Sequence, residues 1–341
     1  MSSLTEYRYL GNQEEVRMGI AKVLVQVSPW LRDLPFAELQ HNNISRYKME
    51  TDDGGATEHA VDDTWSTVNP TWEYREAPLT ILGDNISVDE FGDLAAGPEN
   101  VWAAVTELKS KGVAQKFDKL AVYGATTSTG GLANSTMKGL LRMIAEAEGS
   151  TVTDLDGWLY TGNDNAAHNA QVVFGVSGAS VALSLSMLDS LRDAVRPKPT
   201  HFVMSRLMLR KVNTLTRAAG NDLRWESDGI GGVTANFGEQ KILIDDQIKD
   251  NMNDSSALVT AIASYNYTQA IADTTNTSPI FAVRMAEDGL CGINGKGMIQ
   301  VEDLGILESK DAKGKRVKFY CGMRLTNKRA AAVLLNTNYA G

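Results

Sequence analysis

The side chains best suited to chemistry are few and far apart. Four histidines, His41, His59, His168 and His201, are scattered along 341 residues, and none stands at a metal-ligand spacing from another histidine or from a cysteine. Cys291 and Cys321 lie in apolar stretches and read as buried or semi-buried thiols of a reducing compartment rather than as a disulfide framework. The acidic pairs Asp52/Asp53, Asp62/Asp63 and Asp245/Asp246 are adjacent in sequence, so on a strand they point to opposite faces. They read as solvated loop carboxylates, not as a general acid facing a general base. Two glycine-rich runs invite a nucleotide. In GLCGINGKGM (289–298) the phosphate-loop pattern needs Gly where Leu290 stands and Ser or Thr where Gly297 stands. FGVSGAS (174–180) precedes a helix and could hold an anion, yet it matches no dinucleotide fingerprint, and Ser177 lacks the glycine two places on that a nucleophile elbow requires. No residue set argues for catalysis, a cofactor or a metal.

The elements that would have to position such groups point elsewhere. PENVWAAVTELKSKGVAQKFDKLAVY (98–123) opens with Pro98 at a first helical position and Glu99 at the positive end of the dipole. Val101, Trp102, Val105, Leu108, Val113, Phe117 and Leu120 then form a helical stripe, interrupted at Gly112, where a bend is expected. Helical from Pro98 to about Leu120, it would span roughly 35 Å. Ahead of it, Tyr47 and Met49 alternate with charged residues, as do Trp72 and Tyr74, which predicts a long hairpin over 46–76 with arms of about 15 residues, roughly 50 Å. A two-stranded ribbon is marginal in water by itself, so this one needs a surface to lie on. Leu79, Ile81, Ile86 and Val88 continue as strand.

Residues 1–45 read as an arm. Val16, Ile20, Val23, Leu24 and Val27 make one helix, stopped at Ser28-Pro29, and Trp30, Leu31, Leu34 and Phe36 follow as an apolar cluster with little local partner. After the long helix come a loop over 124–139, a short helix over 140–147, and strand and loop with Trp158 and Tyr160 over 150–170. Val181, Leu185, Leu188, Leu191 and Val195 predict a helix, closed by Pro197 and Pro199 and followed by a strand at 200–204. Ser205 caps the next helix and Gly220 closes it; tight turns at Asp228-Gly229 and Gly231-Gly232 precede paired strands at 233–237 and 241–244. Strands at 278–283, 298–301 and 317–325 complete an α+β chain.

Composition agrees with a folded protein, with 43% apolar and 22% charged residues and a formal net charge of −9. No apolar run approaches the ~18 residues a membrane span needs, and the N-terminus has no signal-peptide pattern, so the expectation is a cytoplasmic origin without a membrane partner. Charge is segregated. Residues 46–99 carry thirteen acids against three bases, whereas 306–329 carry eight bases against two acids. An acidic arm and a basic tail of this kind could attract each other within one subunit or between copies.

RYKMETD, a polar loop, TWEYREAPLTILGDNISVDEF and then the long helix together resemble a tailed-bacteriophage major capsid protein of the Hong Kong 97-type (HK-97-like) fold. PTHFVMSRLMLRKVNTLTRAAG resembles that family's axial segment, and VKFYCGMRLTNKRAAAVLLN its closing strands. The resemblance implies an N-terminal arm (1–45), an extended E-loop hairpin (46–84), a peripheral domain with a spine helix (85–150), an axial domain (151–295) and return strands (296–341). It implies a non-enzymatic structural protein that self-assembles into pentamers and hexamers of an icosahedral virion shell in the host cytoplasm. Implied partners are copies of itself, a separate scaffolding protein, a portal, a decoration protein, and packaged double-stranded DNA held without sequence specificity. Intersubunit contacts are then expected at Trp30, Leu34, Phe36, Tyr47, Met49, Asp62, Asp63, Trp65, Trp72, Tyr74, Arg316 and Lys318. Lys48 is the only lysine between residues 46 and 84, and nothing around it supports the lysine–asparagine crosslink of some relatives. The alternatives are an encapsulin-like nanocompartment shell around protein cargo and a soluble nucleotide-binding enzyme using the 174–180 turn.

Overall fold

A computed structural model describes residues 13–39, 44–52, 58–65, 67, 69, 71–89, 101–124, 137–141, 143, 144, 172–174, 180–220, 223–227, 233–250, 276–306 and 311–340. The expectations for Pro98, Glu99, Trp158, Tyr160, Ser177 and the turns at 228–232 fall outside them.

The arm folds back on its own chain. Helix α1 (Gln13–Val27) ends where the Ser28 amide donates to the Leu24 carbonyl at 2.9 Å. Ser28 then caps α2 (Pro29–Asp33), its hydroxyl accepting from the Leu31 amide at 3.1 Å, with Pro29 at the first helical position. The short strand β1 (Phe36–Leu39) follows. Trp30 (0% exposed) and Leu34 (4%) are buried within this single chain. The arm cluster therefore has, within the chain, the partner that its sequence neighbours conceal.

Strands β2 (Ile44–Asp52) and β3 (Thr71–Pro78) pair antiparallel from Ile44↔Pro78 to Asp52↔Thr71 as a sheet of their own. The hairpin exists, with arms of nine and eight residues instead of about 15. Strand β4 (Thr80–Asp89) follows, as expected; it buries Leu82, Ile86 and Val88 and turns Ile81 outward. The spine helix α3 (Val101–Tyr123) buries Val113, Ala114, Phe117, Ala121 and Val122 in its second half, and Ser110 and Asp118 lie in the same buried stripe. Leu108 points to solvent. Residues 140, 141, 143 and 144 are helical and packed against the core.

Further along come β5 (Val172–Phe174), β6 (Val181–Ala182), α4 (Leu185–Ala194), β7 (His201–Met204), α5 (Arg206–Ala218), β8 (Arg224–Ser227), β9 (Val233–Phe237) and β10 (Gln240–Ile244). Val181 belongs to a strand, not to the helix read from its spacing, because Ser184 caps α4 after it. Ser205 caps α5, and Gly220 follows its C-cap at φ +81°, both as expected. The chain closes with β11 (Ile280–Val283), β12 (Leu290–Ile306), β13 (Ala312–Leu325), β14 (Ala331–Leu335) and β15 (Thr337–Asn338).

Beside the β2–β3 ribbon and a two-stranded β15-β6 pair, the described residues form two larger sheets, ordered β1-β12-β13-β4 and β5-β14-β11-β7-β10-β9-β8. The central strands of the second, IFAV and AAVLL, are apolar throughout because both faces are covered. Val203, Leu243, Phe281 and Val333 face the core shared with α3 and the first sheet. Phe202, Met204, Ile242, Ala282 and Leu334 face the core under α4 and α5. The boundary drawn at 295/296 cuts through β12, and that at 84/85 through β4, since each is one continuous strand. Within β12 the register shifts between Asn294 and Ile299, so Gly295-Lys296-Gly297 is a strand irregularity rather than a phosphate turn. No helix among the described residues is long and apolar enough to cross a membrane.

Candidate assembly surfaces

The β2–β3 ribbon is the feature with most to gain from a partner. Its register puts Lys48 opposite Tyr74 and Glu50 opposite Trp72, whereas Tyr47 lies opposite Arg75 and Met49 opposite Glu73. Cross-strand partners share a face, so Trp72 and Tyr74 look one way and Tyr47 the other. Trp72 is 54% exposed and Tyr74 71%, while Tyr47 is half-buried. The side chain of Met49 lies outside the described residues. Lys48 Nζ sits 5.3 Å from the Trp72 ring centre and 5.6 Å from that of Tyr74, and Arg46 Nε meets Glu76 at 2.8 Å on the same face. Apolar side chains thus emerge on both faces, and neither face covers the other.

Past the strands the chain makes a tight turn. The Asp63 amide donates to the Ala60 carbonyl at 3.2 Å, and Asp62 takes φ +68°, a conformation Asp tolerates better than bulky residues do. Val61 is 97% exposed at its apex. Trp65 (79% exposed) stacks on the His59 ring with centres 4.3 Å apart, and His59 Nδ1 lies 3.7 Å from an Asp63 oxygen. Asp62, Asp63 and Trp65 are therefore brought together at one exposed turn.

Arg316 and Lys318 sit mid-strand in β13, between β12 and β4. Arg316 Nε donates to Asn85 Oδ1 at 2.8 Å, and Lys318 Nζ meets Glu302 at 2.5 Å. Lys315 Nζ lies 5.2 Å from the Trp102 ring centre, and Lys109 forms a close ion pair with Asp84 that holds the Asp84 carboxyl below its usual range. Lys318 of the basic tail and Asp84 of the acidic segment are therefore each engaged within the chain, but by Glu302 and Lys109 and not by each other.

Phe36, half-buried, lies with its ring centre 6.4 Å from Phe117, which in turn is 5.8 Å from Phe319. The Phe36 ring also fills the place where a Gly292 side chain would stand, 2.5 Å from a built Cβ. Like Trp30 and Leu34, it serves the chain's own core.

Sequence reasoning missed a buried polar joint. Ser28 Oγ donates to Asp118 on the spine helix in a very short hydrogen bond. Trp30 Nε1 donates to Asp245 Oδ2 at 2.8 Å, and the Gln247 amide donates to Asp245 Oδ1 at 2.8 Å. Asp245 is fully buried rather than solvated, unlike its neighbour Asp246, which meets Arg206 at the surface. Burial, only partly offset by Ser28 and reinforced by the charge of Asp245, pushes the Asp118 carboxyl up to about 8. Beside this joint, Asp33 meets Lys241 at 3.0 Å and lies 3.7 Å from His201, whose imidazole burial pushes down to about 4. A serine one residue before a proline, and an aspartate on a helix's apolar stripe, were the signals available. Cys291 and Cys321 are both buried, and burial raises the Cys321 thiol well above its ordinary range. Among the described residues no group of acids, histidines and cysteines is arranged to hold a metal.

No protein-family model matches the chain, and no curated protein matches its sequence. Solved structures do. The holo-SrpI encapsulin complex from Synechococcus elongatus PCC 7942 is similar at a TM-score of 0.61 and 16% identity, over 92% of this chain and 89% of that one. The capsid of a native GTA particle is similar at 0.58 and 13%, over 92% and 90%. A structure of Mycobacterium phage Adephagia is similar at 0.54 and 13%, over 91% and 90%. The overlap takes in about nine-tenths of each chain, and so this chain has the Hong Kong 97-type capsid fold.

Proposed function

We propose that this protein is a non-enzymatic major capsid protein, which assembles into pentamers and hexamers of a closed icosahedral shell enclosing bacteriophage double-stranded DNA. The observation that carries the reading is the ribbon: two strands with aromatic side chains on both faces and no core of their own. Such an element gains its burial on a neighbouring copy. In a virion it would work with a scaffolding protein, a portal and a decoration protein. Deleting Thr51 to Asn69 tests the assembly step. Electron microscopy of the intact chain should show closed shells, and the deletion should yield soluble subunits; normal shells from the deleted chain would refute the role of the ribbon. A second reading is an encapsulin-like compartment, favoured by the similarity to the encapsulin complex over 92% of the chain. Nuclease-resistant DNA inside purified particles supports the virion, and a co-purifying enzyme supports the compartment.

A further inference from the structure

The arm is stitched to the body at four successive places. Ser28 reaches Asp118 of α3, Trp30 reaches Asp245 beyond β10, Asp33 reaches Lys241 of β10, and the Pro35 carbonyl accepts from the Gly292 amide at 2.8 Å. The first two stitches end on carboxyls that sense each other. The groups facing them are few. Against Asp118 stand Ser28 from the arm and Asp245 from the axial side; against Asp245 stand Trp30, the Gln247 amide and neighbouring Asp246, with the buried Tyr123 hydroxyl of α3 close by. The cations on the surrounding elements are committed elsewhere: Arg206 to Asp246, Lys241 and Arg32 to Asp33, Lys109 to Asp84. Burial raises both carboxyls; Asp245 is met by two N–H donors, whereas Asp118 is met by one hydroxyl and is the better placed to keep a proton.

We propose that α1, α2 and β1 form a proton-locked strap: the buried Asp118 carboxyl holds a proton while the strap is seated, and opening the strap to water releases it. In the closed joint the Ser28 hydroxyl is the hydrogen-bond donor that meets Asp118 among the described residues, so a charge there is solvated by admitting water. The arm is the element that can move to admit it. Its α2 has five residues and β1 is the edge strand of its sheet, paired among the described residues with β12 alone, although Ile20, Leu24 and Trp30 must leave the core shared with α3 when it lifts.

The inference concerns a single chain, so it is tested on unassembled subunits and stands or falls apart from shell formation. Hydrogen exchange of amides 20–34 is followed from pH 5.5 to 9 and corrected for intrinsic rates, with β11 amides as the internal reference. Protection of the arm should fall by up to about tenfold per pH unit as the pH rises towards 8, then level off. β11 should lack that slope. Asp118→Asn should keep the arm protected and flatten the slope. A pH-independent wild-type arm, a β11 slope equal to that of the arm, or an undiminished slope in Asp118→Asn would each overturn the proposal. Should Asp118→Asn not fold, the wild-type comparison of arm with β11 decides alone.

Discussion

At the scale of single residues, packing here is specified by pairs that lie far apart in sequence. Gly292 is required because the Phe36 ring occupies its side-chain space, and Phe36 is held there by Phe117. Gly292→Ala should therefore destabilise the subunit by about 1–3 kcal/mol in urea unfolding, as overpacking does. In a Phe36→Ala background the same change should cost under about 1 kcal/mol, because the obstructing ring is gone. Equal costs in both backgrounds would show that the glycine is needed for its backbone alone. Asp118 supplies a second residue-scale test. Its native carboxyl is raised from 3.8 to about 8, so between those values the folded chain holds a proton that the unfolded chain has lost. The associated stability is fully present below about pH 4 and is lost as pH rises through 8, at no more than about 1.4 kcal/mol per unit. Subtracting the urea-unfolding profile of Asp118→Asn from that of wild type over pH 5–9 should isolate this falling slope. Neither residue was legible beforehand. A glycine in a strand-forming run and an aspartate in a helix carry no mark of the partner that explains them.

At the scale of elements, the sequence was more open. Period-two alternation announced β2 and β3, the strand read at 278–283 contains β11, and Ser205 with Gly220 bounded α5 to the residue. Which face each element buries was less accessible. It depends on register and on polar residues tolerated in buried stripes, as with Ile81 turned outward in β4 and Ser110 and Asp118 turned inward in α3. The ribbon shows the consequence. Tyr47, expected to act together with Trp72 and Tyr74, falls on the opposite face from them once Lys48 is opposite Tyr74. Trp72→Ala with Tyr74→Ala should thus remove one face only. Subunit unfolding should shift by about 1 kcal/mol or less, since both rings are largely exposed. If this face is the one that docks, the concentration needed for assembly, read by light scattering, should rise at least about tenfold, as expected for losing an aromatic anchor. Unchanged assembly would direct attention to the Tyr47 face.

At the scale of the whole molecule, the chain's return paths decide what charge can do. Segment boundaries read along the sequence cut β12 and β4, because strands distant in sequence close one sheet and no local signal marks such a return. The same closure puts the basic tail against β4 and β12, where Lys318 is engaged by Glu302 and Arg316 by the neutral Asn85. Arg316 is therefore the better probe of attraction between copies, since reversing Lys318 would also break an ion pair within the chain. Asp62→Lys with Asp63→Lys inverts the charge of the ribbon's turn, which lies far from any core. If that turn meets β13 of a neighbouring copy, the inversion should slow assembly most at low salt, with the difference shrinking as salt rises towards about 0.5 M and screening shortens. Adding Arg316→Glu to the inverted chain should then recover part of the lost rate, although Arg316→Glu alone slows wild type. Recovery can arise only if the two charges face each other across an interface. A combined variant slower than either parent would mean that the acidic turn has a different counterpart, and that the charge segregation along the chain serves each subunit separately.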